Sequence, residues 1–337
     1  MKKIVALTLV LILALAVLVP AMAEGAIKRI GTLQMLNMTE SEYAAVQKLR
    51  ARTGVMMNEA GVPAEHPYYD GMLDEEPEIV FFDNLNDMIM ALDAGQIDAI
   101  DLNRSTAEYL CANNEGLAIL MDYEAEDNIL ADFLFNTFMG YDFSLMLPQE
   151  KQDLADELIG ALDAIGEEGQ DKLAVQYING AINGDIPSVE MPVIEGAETI
   201  RVAVTGDLPP MDYVSPDGQP AGFNVALLAE ISSLIGKNIE LVPISAEARA
   251  LALSSGQVDV VFWSRSCIGV KEMIENDLHW MDLLDPEDEE DQAMLERIDD
   301  ELLPDFDYVT YAGKDIPDGL IVTDSYYTDS TVLVVKQ

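Results

Sequence analysis

An α/β fold of two related halves, each a mainly parallel sheet flanked by helices, is what the sequence predicts. Three observations carry it. The first is a repeat: residues 85–101 read LNDMIMALDAGQIDAID and residues 247–263 read EARALALSSGQVDVVFW. Both contain Ala-Leu, two further residues, then Gly-Gln, a β-branched residue and Asp, with glycines at Gly95 and Gly256 and aspartates at Asp98 and Asp259. The physical content is a helix, a glycine that ends it in the left-handed conformation, and a buried β-branched strand. The second is strand–helix–strand order in residues 200–243, which builds a parallel sheet. The third is size. At 337 residues, half of them hydrophobic, the chain exceeds one average domain and has apolar side chains enough for two cores.

The elements follow in order. Lys2 and Lys3 precede an apolar run over residues 4–19, and Ala21-Met22-Ala23 supplies small residues at a cleavage site. This is the pattern of a signal peptide over residues 1–23, cut before Glu24, and it predicts a secreted or surface-exposed mature chain with no membrane insertion after cleavage. Residues 29–34 form a strand, and Thr39 caps a helix whose first turn holds Glu40 and Glu42. Residues 78–82 are the next strand, followed by the first repeat, in which Met88 and Leu92 are apolar helix positions. Residues 149–165 and 170–178 are helical, separated around Gly166 and Gly169. Pro187, Pro192 and Gly196 mark residues 185–198 as a linker. In the second half, residues 200–205 and 239–243 are strands flanking a helix over 224–235 that Gly236 stops. Residues 281–305 are dominated by Asp and Glu without the glycine a calcium loop requires, and read as a solvated helical stretch within an insertion over about 277–318.

Composition excludes several classes. With 62 acidic against 18 basic residues the formal net charge is -44, so nucleic acid and anionic membrane surfaces are poor partners. Cys111 and Cys267 fall in different halves and read as free, packed thiols, while His66 and His279 lack a second ligand at metal spacing. No metal and no cofactor is expected. Neither histidine stands in a nucleophile–base pair and no Gly-x-Ser-x-Gly turn occurs, so the chain reads as a non-enzyme.

From residue 200 onward the sequence resembles the extracellular solute-binding proteins of family 3, the amino-acid-type receptors of ABC importers with a type II periplasmic-binding-protein fold. The residues that carry the resemblance are IRVAVTGDLPPMDYVSPDGQPAGFNVALLAEI (200–231), SGQVDVVFW (255–263) and DSYYTDSTVLVV (324–335). Residues 78–110 are similar to the family's other lobe. The resemblance implies a lobe-two-like domain with C-terminal-type helices over 24–184, the linker 185–198, and a lobe-one-like domain over 199–337. It also implies an exchanged order, as in a circular permutation, with a truncated or tandem arrangement as the competing reading. It further implies a monomeric binder that captures a small polar, amino-acid-like solute between the lobes and delivers it to an ABC permease. The alternatives are a ligand sensor or degenerate binding module at the cell surface, and a secreted lyase or hydrolase on the same fold.

Carried over residue by residue, the resemblance places Asp207, Met211 and Tyr213 of one loop, Trp263, Ser264, Arg265 and Ser266 after the second strand, and Tyr326 in the ligand cleft. Phe223 reads as core. Asn37 and Thr39 occupy the anion turn of the other lobe. Counting from Asp259, the family's carboxylate-binding Arg falls on Lys271; counting from Asp98, its ammonium-binding Asp falls on Asn103. A lysine is a point charge rather than a two-pronged fork, and an asparagine brings no charge, so a free α-amino acid is a weakened expectation.

Overall fold

The repeated segment folds the same way twice. The computed structural model describes residues 27–33, 77–119, 140–266, 319–323 and 325–337, with positions 40, 43, 44, 47, 292, 293 and 296. The first half contains β1 (Arg29–Leu33), β2 (Glu78–Phe82), α1 (Leu85–Asp93), β3 (Ala99–Asn103), α2 (Arg104–Asn113), β4 (Leu117–Ile119) and β5 (Gly140–Pro148). Helix α3 (Gln152–Leu173) then runs through a wider turn at Ala174–Asn179 into the short α4 (Gly180–Ile182). The second half contains β6 (Thr199–Val204), a three-stranded hairpin sheet of β7 (Asp207–Leu208), β8 (Asp212–Val214) and β9 (Pro220–Ala221), and then α5 (Phe223–Ile235) and β10 (Asn238–Pro243). It continues with α6 (Arg249–Ser254), β11 (Val260–Ser266), β12 (Leu320–Val322) and β13 (Tyr327–Lys336).

In each repeat the helix ends on a left-handed glycine, Gly95 at φ 68° and Gly256 at φ 69°. The Gly95 N–H donates to Leu92 and that of Gln96 to Ala91, at 3.1 and 2.8 Å; Gly256 and Gln257 donate to Leu253 and Ala252 at 3.0 and 2.9 Å. The repeated aspartates are structural. Asp98 accepts from the backbone N–H of Arg29 at 2.9 Å and from its guanidinium at 3.1 Å. Asp259 accepts from the backbone N–H of Arg201 at 2.8 Å and from its guanidinium at 2.9 and 3.0 Å. Each thus fastens the start of the neighbouring parallel strand, β1 in one half and β6 in the other.

Among the described residues one ten-stranded sheet runs β10-β6-β11-β5-β13-β3-β1-β2, with β12 beside β5 and β4 beside β13. The strands β10, β6 and β11 are mutually parallel, as are β3, β1 and β2. Strands β5 and β13, antiparallel to each other, join the two sets. β13 pairs with β5 through residues 327–330 and with β3 through residues 331–334, so one strand belongs to both halves. The mixed α/β architecture agrees with the sequence expectation. A continuous apolar core links Met88, Leu92 and Ile100 of one half to Phe143 and Leu145 of β5 and to Val202, Leu227 and Val260 of the other. Helix α3 packs on α5, and α4 touches α2, so the helices after β5 bridge both halves.

The structure adds detail at two boundaries. The helical stretch over 152–173 is broken at Gly166, which takes φ 62° and ψ 177°, where the sequence places a separation. The proline-marked residues 185–198 are strapped to the second half: the Val189 N–H donates to Pro220 at 2.8 Å, and the Asn238 side chain accepts from Ile194 at 2.7 Å. Backbone groups that find fixed partners turn a spacer into a packed strap. The signal peptide, Asn37, Thr39, His66, His279, Cys267 and Lys271 lie outside the described residues, as does nearly all of the acidic insertion. Cys111 is a free thiol, half-buried, and burial, with Glu108 nearby, pushes it up to about 11.

Candidate functional site

Strand directions fix where a cleft lies. β11 runs parallel to β13 and ends at Ser266, whose partner Asp142 on β5 is also the partner of Thr328 on β13. β3 runs the opposite way and ends at Asn103, opposite Thr331. The carboxyl ends of the two parallel sets therefore face each other across three residues of β13, roughly 10 Å at about 3.3 Å per residue. Carboxyl ends of parallel strands are where α/β sheets hold ligands.

From the second half, the turn after β6 enters this space. Its shape is fixed from behind. The buried Asp212 carboxylate accepts from the Gly206 N–H at 2.6 Å and from the Asn224 amide at 2.8 Å, and the Arg249 guanidinium donates to the Thr205 hydroxyl at 2.5 Å. Burial pushes the Asp212 carboxyl up to about 6, against the pull of the Gly206 N–H, Asn224 and Arg249. Phe223 and Asn224 donate their N–H groups to Pro210 and Met211, tying the turn to the start of α5. Asp207, half-buried, belongs to β7, which packs against α1 of the other half. Burial raises its carboxyl above the ordinary range, Arg249 opposes the rise, and Asp87 adds to it.

Two tyrosines meet across the same space. Tyr213 of β8 and Tyr109 of α2 place their ring centroids 6.2 Å apart at 45°. Burial raises both hydroxyls, that of Tyr213 to about 12. Tyr327, at the start of β13, stacks on Phe223 at 4.8 Å and lies 6.3 Å from Phe143, and its buried hydroxyl is pushed well above the ordinary range.

The sequence-predicted positions divide. Asp207 and Tyr213 stand at the interlobe contact. Met211 is wholly buried in the main core, which replaces the expected cleft-wall contact, and Phe223 is core as anticipated. Tyr326 is buried and stacks on Phe262 at 4.6 Å. Trp263, Ser264, Arg265 and Ser266 are placed by backbone on β11, with Ser264, Arg265 and Ser266 opposite Ser144, Phe143 and Asp142 of β5. Asn103, at the end of β3, is buried, and its amide donates to Asp329 of β13 at 3.0 Å. The same carboxylate accepts from the Ser105 N–H at 3.0 Å, so Asp329 caps α2. Asp101, two residues earlier, turns into the first half, accepting from Gln47 at 2.8 Å and from the hydroxyls of Tyr43 and Thr331. Tyr109, Arg249 and Asp329 were missed: they stand 104, 44 and 226 residues from their partners Tyr213, Thr205 and Asn103, and no local spacing announces them. Arg249 carried the one available signal, a charge inside the apolar repeat. No group of three metal-ligating side chains occurs among the described residues, and no helix there is long and apolar enough to cross a membrane.

Comparison with known proteins gives one family. Residues 200–266 match "Bacterial extracellular solute-binding proteins, family 3". Among curated proteins nothing matches. Solved structures resemble the chain at low identity. One is a phosphate-binding protein of a phosphate ABC transporter from Streptococcus pneumoniae TIGR4, at 11% identity, 93% of this chain, 90% of that chain and TM-score 0.33. Another is the PBP AgaA in complex with agropinic acid from A.tumefacien R10, at 13% identity, 80% of this chain, 57% of that chain and TM-score 0.37. A third is an ABC transporter periplasmic substrate-binding protein from Coxiella burnetii, at 10% identity, 92% and 84% coverage and TM-score 0.31. Likeness at this level bears on neither ligand nor partner.

Proposed function

We propose, on the match of residues 200–266 to the bacterial extracellular solute-binding proteins, family 3, that the chain captures a small polar solute between its halves for import. The observation that carries the reading is the sheet itself: β3 and β11 point their carboxyl ends at each other across three residues of a strand that both halves share. A protein built this way opens and closes about the crossing strands, the hinge arrangement of binding clamps. The aromatic pair Tyr109 and Tyr213, together with Asp207, supports a site with polar groups set in apolar walls.

The solute is polar, but the positions expected to grip an amino-acid zwitterion argue against an ordinary one. Asn103 is uncharged and hydrogen-bonded to Asp329, and Asp101 is turned away into the first half. An acidic exported binder that hands its cargo to an ABC permease fits these features. The exchanged order of the halves fits a circular permutation joined through residues 185–198.

A thermal-shift screen of the mature chain against amino acids, amines, short peptides and organic acids tests the reading. A solute at one hundred times its Kd adds about 2.7 kcal/mol of stability, enough to raise the melting temperature by several degrees. A screen in which no compound moves the melting temperature overturns it.

A further inference from the structure

The contact between the two halves presents rings and a carboxylate. Tyr213 stands directly opposite Asp207 in the antiparallel pairing of β7 with β8. The two side chains therefore leave the same face of the hairpin sheet, with Cβ atoms about 5 Å apart. From the other half, Tyr109 of α2 meets Tyr213, the ring centroids 6.2 Å apart and the planes inclined at 45°. Rings so inclined diverge on one side, and a cation there, within about 6 Å of both centroids, is attracted by both. The donors that would grip an anion are engaged elsewhere. At the carboxyl end of β3 the Asn103 amide and the Ser105 N–H both donate to the chain's own Asp329 carboxylate at 3.0 Å, and the Arg104 Nε donates to the Ser330 hydroxyl at 2.9 Å. In the turn after β6 the Arg249 guanidinium donates to the Thr205 hydroxyl at 2.5 Å. Asp207 is half-buried, and burial raises its carboxyl above the ordinary range against the pull of Arg249. Its ionised form gains from a further positive charge brought beside it.

We infer that the captured solute is an organic ammonium ion, its positive head set against the ring faces of Tyr109 and Tyr213 with Asp207 as counter-charge. Each component answers one property of such an ion. The ring faces carry the negative side of the aromatic quadrupole and suit a nitrogen clothed in alkyl groups, which is apolar in surface and positive in charge. The carboxylate supplies the full opposite charge. A solute carboxylate brought to the same place meets Asp207, and it finds the N-terminus of α2 already filled by Asp329. The formal net charge of -44 acts in the same direction at long range, drawing cations toward the chain and repelling anions. The inference rests on the two-half clamp proposed above and narrows its solute from polar to cationic.

Isothermal titration calorimetry of the mature chain at constant ionic strength tests it. The probes are tetramethylammonium, choline, acetate, and the carbon isostere of choline in which a tert-butyl group replaces the trimethylammonium. Saturable one-to-one binding of an ammonium ion is expected, with the uncharged isostere weaker by about tenfold or more. Tyr109→Leu, which keeps apolar bulk but removes the ring, is expected to weaken choline about tenfold, and Tyr109→Phe to recover most of that loss. Asp207→Asn is expected to narrow the gap between choline and its isostere. Equal affinity for that pair, equal affinity of the Leu and Phe variants, tighter binding of acetate, or no binding of either ammonium ion overturns the inference. Should Tyr109→Leu fail to fold, the comparison of choline with its isostere decides. A solute of another class found in the thermal-shift screen overturns the ammonium assignment and leaves the clamp standing, whereas a silent screen removes both.

Discussion

Asp212 sits fully buried behind the cleft turn, held by the Gly206 N–H and the Asn224 amide, yet its carboxyl is pushed up to about 6. An acid with a raised folded pKa costs stability once ionised: the native state holds its proton longer than the unfolded chain, whose carboxyl titrates near 3.9. Stability therefore falls as pH rises from about 4 through about 6. Asp212→Asn is expected to remove this dependence and to stabilise the chain at pH 7.5 by on the order of 1–3 kcal/mol, measured by urea unfolding across pH. Asn224 can serve the new amide, because its Oδ1 is buried without a partner and rotating the side chain presents that oxygen. Asp329 makes the opposite case. Its carboxylate supplies the helix cap that Asn103, standing at the capping position, does not give. Asp329→Ala is expected to cost about 1 kcal/mol in urea unfolding and Asp329→Asn less, since the amide oxygen still accepts the Ser105 N–H.

At the scale of elements, the repeat was legible because its physics is local. A helix period, a stop glycine and a β-branched run lie within seventeen residues, and they alone dictate Gly95 and Gly256. Ala at either glycine forces a side chain into the left-handed region, with an expected loss of about 1 kcal/mol each by thermal unfolding. The role of the aspartates was less legible, because their partners Arg29 and Arg201 lie 69 and 58 residues upstream. Asp259 shows the consequence. Burial alone would raise its carboxyl, but Arg201 and Lys151 outweigh burial and hold it at about 2. A depressed carboxyl stabilises above its unfolded value and loses that contribution as pH falls through its folded one. The unfolding midpoints of wild type and Asp259→Asn are thus expected to converge between pH 4 and pH 2, with the variant about 1–3 kcal/mol weaker near neutrality. The site was the least legible part. Contacts such as Asn103–Asp329, 226 residues apart, and Tyr109–Tyr213 exist only once the halves are assembled.

At the scale of the molecule, the register places the end of β13 near the start of β1. Val334 lies opposite Ile100 of β3, and Ala99 of the same strand lies opposite Ile30 of β1. Two strand spacings, about 10 Å, separate them. If the halves are in permuted order, joining residue 337 to residue 27 by a short flexible linker and opening the chain within 185–198 leaves the sheet intact. The relinked chain is expected to show the parent's far-ultraviolet circular dichroism and the same thermal-shift response; an unfolded product would count against a permuted origin. β13 also has a temporal meaning. It leaves the ribosome after every other described strand, yet it takes the place between β5 and β3 in the middle of the sheet. Until it arrives, β3, β1 and β2 have no strand joining them to β5 and the strands of the second half, and the pairings it makes with β3 span more than two hundred residues. Long-range pairings form slowly, so completion of the sheet waits until β13 has been made.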